Sequence, residues 1–250
     1  MAPPHEPGTG PGPQGAGSVR ENLEKVLERV EKASLRAGRN KKEIRLVAVT
    51  KTVSVERILE AVQCGAGEIG ESRVQETQDK FSLVRASGLS GVEGVKWHMI
   101  GRLQTNKVNR AVEIFDMIQS VDSLKLAQAI DRRAGQIQKV QDCLVELKVS
   151  EEAAKTGLEA SVLESFMEQC AVLKAIRLLG LMTIAPYFDD PDAARPYFAK
   201  ARSLFEKFFP NPGSILSMGM SGDFDAAIQE GSTLVRVGTA IFGKRGSPLL

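Results

Sequence analysis

The chain opens its ordered pattern with a 3.6-residue period. In SVRENLEKVLERVEKASLRAG, residues 18–38, the apolar positions Val19, Leu23, Val26, Leu27 and Val30 fall on one face. Ser18 and Glu21 have the spacing of a capping box. This predicts an amphipathic helix. Beyond it the period changes, and short β-rich runs begin near Leu46 (LVAVTK), Glu68 (EIGES), Lys96 (KWHMIG) and Met117 (MIQSVD). Four more begin near Cys143 (CLVELKVS), Leu178 (LLGLMTI), Ile215 (ILSMGMS) and Leu234 (LVRVGTAIFG). Helix-patterned segments separate most of them, among them Val55–Gln63, closing at Gly65, and Pro196–Phe209, with Pro196 suited to a first turn.

Eight strands alternating with helices predict a single (β/α)8 barrel, an α/β fold of the TIM-barrel type, for which 250 residues is an ordinary length. A doubly wound open sheet is the alternative. No helix is legible after the eighth strand, whereas an extra N-terminal helix precedes the first and is placed to cover that gap. The expected organisation is a tail over residues 1–17 and a barrel over 18–250. The tail, MAPPHEPGTGPGPQGAG, has five Pro, five Gly and no apolar run, so disorder is expected there and His5 needs no role.

Composition narrows the function classes. With 33 basic and 31 acidic residues, net charge is +2 and no basic run stands out, which argues against a nucleic-acid binder. No stretch has the roughly 18 apolar residues of a membrane span, and the N-terminus lacks a signal peptide's pattern, so a cytoplasmic protein is expected. Cys64, Cys143 and Cys170 are scattered and odd in number, which favours neither a disulfide framework nor a metal site.

Chemistry gathers at the predicted C-terminal strand ends, where barrels place their sites. RLVAVTKTV, residues 45–53, runs an apolar strand into Lys51. SMGMSGDFDAAIQEGS, residues 217–232, puts Ser217, Gly219, Ser221 and Gly222 between a strand and a short helix from about Asp223. Gly238 and Thr239 follow the eighth strand. Small residues let backbone N–H groups approach an anion, so these two loops read as a phosphate cradle, although the glycines equally suit plain tight turns. Arg236, inside an apolar strand, suits either an anionic or heterocyclic ligand or a structural pair with Glu68 or Glu71. Lys51 alone reads as an ordinary strand-end residue. Across a barrel mouth from a phosphate site it reads as a Schiff-base lysine, because pyridoxal phosphate (PLP) needs both. His98 reads as a hydrogen-bonded strand-end residue rather than a base.

LVAVTKTV, IGESRVQE, KWHMIGRLQTNKV, SVDSLKLA, GLMTIA, LSMGMSGDF and GSTLVRVGTAIFG occur in the order of the signatures of one family, from Leu46 to Gly243. On these motifs the chain resembles the pyridoxal phosphate homeostasis proteins, YggS-type relatives of the alanine racemase barrel. The resemblance implies a single barrel carrying PLP as an aldimine at Lys51, a role in cofactor supply, and no established turnover. It implies that Arg236 faces the pyridine nitrogen and that Ser217, Gly238 and Thr239 hold the phosphate, with Met218 and Ser221 in the same loop and His98 near the cofactor. Ser72 stands where the family usually has Asn. SEEAAKTGL, with Lys155 and Gly157, also fits a family stretch, without a role. Expected partners are PLP and apo-enzymes that need it, with no nucleic acid and no membrane, and the expected state is a monomer or weak dimer. A racemase of the same fold type is the rival. It would need a second, mostly β domain and a catalytic Tyr, whereas here seven residues follow Gly243 and the tyrosines are Tyr187 and Tyr197. A barrel binding a phosphorylated metabolite without any covalent link is the third reading.

Overall fold

A computed structural model describes residues 17–150 and 156–243. The expectations for residues 1–16, for Lys155 and for residues 244–250 lie outside the described residues. The first half of the chain runs α1 (Val19–Arg36), β1 (Arg45–Val49), α2 (Val55–Gln63), β2 (Glu68–Glu71), α3 (Val74–Ala86), β3 (Lys96–Met99), α4 (Val108–Ile114) and β4 (Met117–Val121). It continues through α5 (Leu124–Gln136), β5 (Gln141–Leu147), α6 (Leu163–Cys170), β6 (Ile176–Thr183) and α7 (Arg195–Phe208). β7 (Ile215–Ser217), α8 (Phe224–Gln229), β8 (Leu234–Val237) and α9 (Thr239–Phe242) complete it.

All eight strands are parallel and close into a barrel in sequence order. β8 pairs with β1 in the register Arg45–Leu234, Leu46–Val235, Val47–Arg236 and Ala48–Val237. That pairing excludes the open doubly wound sheet. Strand alternation then sorts side chains into two layers. Val47, Met117, Leu144, Met182, Ile215 and Leu234 fill the barrel interior. Ile69, Trp97, Met99, Ile118, Cys143, Leu181 and Leu216 point outward under the helices. β5 and β6 each begin two residues earlier than the apolar runs indicate, because Gln141 and Arg177 continue the pairing without adding to the apolar signal. The cysteines are free thiols.

The N-terminal helix forms as its pattern requires. Ser18 and Glu21 exchange the two hydrogen bonds of a capping box, each 3.2 Å. Val19, Leu23, Val26 and Val30 are buried, but Leu27 is 46% exposed. At 100° per residue it falls off the stripe defined by the other four. That stripe packs on Ala48 of β1 and on Val235 and Val237 of β8, together with Phe224, Ile228, Ile241 and Phe242. α1 therefore covers the β8–β1 seam, as expected. A correction goes with this: a helix does follow β8. α9 has only four residues, too few to leave a periodic signal, and Asn22 of α1 donates to its Ile241 carbonyl at 3.0 Å.

Because Leu23 is 2% exposed in the seam cluster, Leu23→Ala should cost about 2–5 kcal/mol. Leu27→Ala should stay within about 0.5 kcal/mol. Urea unfolding monitored by circular dichroism separates the two. Equal midpoint shifts would mean that α1 does not seal the barrel.

Candidate functional site

Lys51 lies two residues past the end of β1, in the turn formed by Lys51 and Thr52. It lines an open cleft of about 340 Å³ together with Val49, Thr52, Arg57, Gly238 and Thr239. The closure of the barrel produces this meeting, since β1 and β8 are neighbours and both chains leave the sheet at the same end. Gly238 is small for a reason: a Cβ there would lie 3.3 Å from both Cβ and the carbonyl oxygen of Val49. From the loop after β7, the Ser221 hydroxyl accepts from the backbone N–H groups of Gly238 (3.2 Å) and Ala240 (3.3 Å). Two main-chain donors thus converge on one small oxygen, an arrangement that suits an anion's oxygen. Gly219, at φ +95°, lets the β7 loop bend to bring Ser221 there, and a Cβ on it would come within 2.6 Å of the Ala227 methyl.

Three of the nine expected site residues, Lys51, Gly238 and Thr239, line the cleft, and Ser221 lies at its edge. The others lie elsewhere. Arg236 is 4% exposed, inside the barrel, and donates to the Ser217 hydroxyl (2.6 Å) and to the Thr183 carbonyl (2.8 Å). It pairs with neither Glu68 nor Glu71; Glu68 holds Arg45 and Glu71 holds Lys80. Burial pushes the Arg236 guanidinium down to about 10, against the opposing pull of Asp223 and Glu146, so it stays protonated near neutrality. Burial in turn pushes both of those carboxyls up. Ser217 is wholly buried and donates to Gln119 Oε1 at 2.7 Å. The Met218 side chain belongs to the layer under the helices, and its N–H is used by the Leu234 carbonyl. Ser72, the residue after β2, lies against Gly101, on which a Cβ would come within 2.5 Å of the Ser72 carbonyl oxygen and 2.7 Å of its Cβ.

His98 is 1% exposed and opens toward the opposite end of the barrel, on a cavity shared with Arg45, Lys96 and Asp142. Its Nδ1 lies 2.9 Å from Gln119 Nε2, and its Nε2 lies 3.2 Å from Glu68 Oε2. Because Ser217 donates to Gln119 Oε1, the Gln119 amide nitrogen must face His98 and donate to Nδ1. The proton then sits on Nε2, toward Glu68. Burial by itself raises the Glu68 carboxyl, but the contacts from His98 and Arg45 outweigh it and hold it below the usual range. Arg236, Ser217, Gln119, His98, Glu68 and Arg45 thus form one polar chain through the barrel. Gln119 escaped the sequence reading, although a Gln inside MIQSV, on the inward side of a buried strand, is its trace. Among the described residues no group of His, Cys, Asp and Glu is placed to hold a metal ion, and no helix is long and apolar enough to cross a membrane.

Gln119→Leu would leave the Ser217 hydroxyl and His98 Nδ1 buried without their partner. The expected cost is about 1–3 kcal/mol in chemical unfolding. A neutral result would show that the chain through the barrel is not a satisfied network.

The profile of the family described as "Alanine racemase, N-terminal domain" matches residues 21–246. A pyridoxal phosphate homeostasis protein of Aquifex aeolicus (strain VF5) is 42% identical over 228 residues, 90% of this chain and 97% of the relative. One of Escherichia coli (strain K12) is 38% identical over 232 residues, covering 91% and 97%. Among solved structures, PipY of Synechococcus elongatus PCC7942 with PLP bound superposes with a TM-score of 0.74 at 36% identity, over 87% of this chain and all of PipY. Alanine racemase of Clostridium difficile 630 shares the fold alone, with a TM-score of 0.63 at 17% identity, over 92% of this chain and 57% of the racemase. With motifs, barrel and relatives in agreement along almost its whole length, the chain belongs to the pyridoxal phosphate homeostasis protein family, which shares the barrel of the alanine racemase N-terminal domain.

Proposed function

We propose that this protein binds PLP at the C-terminal mouth of the barrel, attached through Lys51, and acts in PLP homeostasis as a carrier or regulator. The observation that carries this reading is the cleft itself, which Lys51 after β1 lines together with Gly238 and Thr239 after β8, with the Ser221 hydroxyl held beside it by the Gly238 and Ala240 N–H groups. The PLP-bound state of PipY supports it. When bound, the cofactor would supply an aldehyde able to condense with an amine and a pyridine ring able to draw electrons. Gly238, Thr239 and Ser221 are suited to hold the phosphate, with Ser217 holding Arg236 in place from behind. Arg236 has only donors to offer, so it orients a ring nitrogen without supplying the carboxylate that would keep it protonated. Tyr187 is 88% exposed and Tyr197 packs on Phe188, so neither stands in the cleft as a base. The donor set therefore suits holding and release better than turnover, and a cytoplasmic monomer or weak dimer, serving apo-enzymes that need PLP, fits it. Residues 18–250 act as the single barrel in this reading.

Borohydride reduction of the loaded protein should fix one cofactor mass on the peptide containing Lys51, and Lys51→Ala should lose it with an unchanged circular dichroism spectrum. Mapping of the mass to another lysine would overturn the assignment. Thr239→Val removes a hydrogen bond to a charged group, worth about 1.5–3 kcal/mol, or roughly ten- to hundredfold in affinity. That loss is expected for PLP and not for unphosphorylated pyridoxal. Equal losses for both would point to a packing defect.

A further inference from the structure

Beside Lys51 lies a largely buried cluster that the proposed cofactor site does not use. Lys80 of α3 is 8% exposed, and its Nζ makes three contacts: Thr50 carbonyl at 2.7 Å, Glu71 Oε1 at 2.9 Å and Glu76 Oε1 at 2.6 Å. An ammonium has three N–H donors, so these contacts use all of them. Glu71 also accepts from the Thr50 hydroxyl at 2.7 Å, and Glu76 accepts from the Thr52 N–H at 2.7 Å. The side-chain hydrogen bonds that lead out of the cluster fall on Thr50 and Thr52, the two residues that flank Lys51.

Thr52 is in the left-handed region, at φ +63°. A β-branched residue there is strained, and such a conformation persists only where its surroundings impose it. A buried ion cluster is a poor source of net stability, because desolvation offsets the attraction. Its contacts and the strain beside the lysine have one explanation in common. We propose that Glu71, Glu76 and Lys80 are positioning residues, which clamp the backbone on both sides of Lys51 and hold Thr52 left-handed, so that the Lys51 amine is presented to the cleft. This rests on the attachment of PLP through Lys51 proposed above.

Two ligands separate positioning from binding. Pyridoxamine 5′-phosphate carries the same ring and phosphate but no aldehyde, so its affinity does not depend on the placement of the amine. In Glu76→Ala, covalent attachment of PLP, read by borohydride trapping, should fall roughly tenfold or more, the scale of the strain released. Pyridoxamine 5′-phosphate affinity should not change, and hydrogen exchange of the Thr52 amide should speed up. Glycine takes a positive φ without strain, so Thr52→Gly added to Glu76→Ala should recover attachment. Unchanged attachment in Glu76→Ala, equal loss for both ligands, or no recovery with glycine would overturn the proposal. If the wild-type protein forms no adduct at Lys51, the reading of function falls separately. The clamp is then decided by exchange, and an unchanged Thr52 rate in Glu76→Ala overturns it.

Discussion

The pairing of β8 with β1 is the constraint on which the site depends. Lys51 and the Gly238–Thr239 turn are nearly 190 residues apart in sequence, and nothing local brings them together. Four paired residues, Arg45 to Ala48 against Leu234 to Val237, set the register that does. Closure leaves no sheet edge, and the helix that would ordinarily cover the last seam is shortened to four residues. α1 does that covering instead, with Asn22 on α9 and Arg39 on the carbonyls of Ile228 and Ser232 fastening its two ends. A segment that contributes no residue to the cleft thereby fixes the geometry of the cleft.

A barrel interior that carries a buried arginine needs polar company. Arg236 takes it from Ser217 and Thr183, and Ser217 passes the demand on to Gln119, His98 and Glu68. The far end is neutralised by Arg45, which meets both Glu68 oxygens at 2.7 and 3.0 Å. Three of the expected site residues, Arg236, Ser217 and His98, belong to this chain through the core and not to the cleft lining.

The strand and helix order was legible because its two periods differ so clearly, and Lys51, Gly238 and Thr239 were legible because small or charged residues at strand ends are conspicuous. Other features were hidden for physical reasons. α9 has too few residues for any period. Leu27 lies 100° round the helix from Val26, just off the buried stripe, a difference that a count of apolar residues does not register. The clamp on Thr50 and Thr52 is invisible because Glu71, Glu76 and Lys80 look like ordinary surface charges in sequence. Only the packing of α3 against the ends of β1 and β2 buries Glu71 and Lys80 and half-buries Glu76. The placement of His98 depended on barrel depth, which one residue in a four-residue strand does not encode.

In the proposed function, the closed seam, the donor-only Arg236 and a cleft lining without tyrosine among the described residues would keep PLP chemically quiet. The most direct test is to incubate the PLP-loaded protein with L- and D-alanine in deuterated water and to follow deuterium at Cα by NMR, beside a measurement of PLP transfer to an apo-enzyme. The expected result is negligible deuterium incorporation with measurable transfer; rapid, Lys51-dependent incorporation would contradict it.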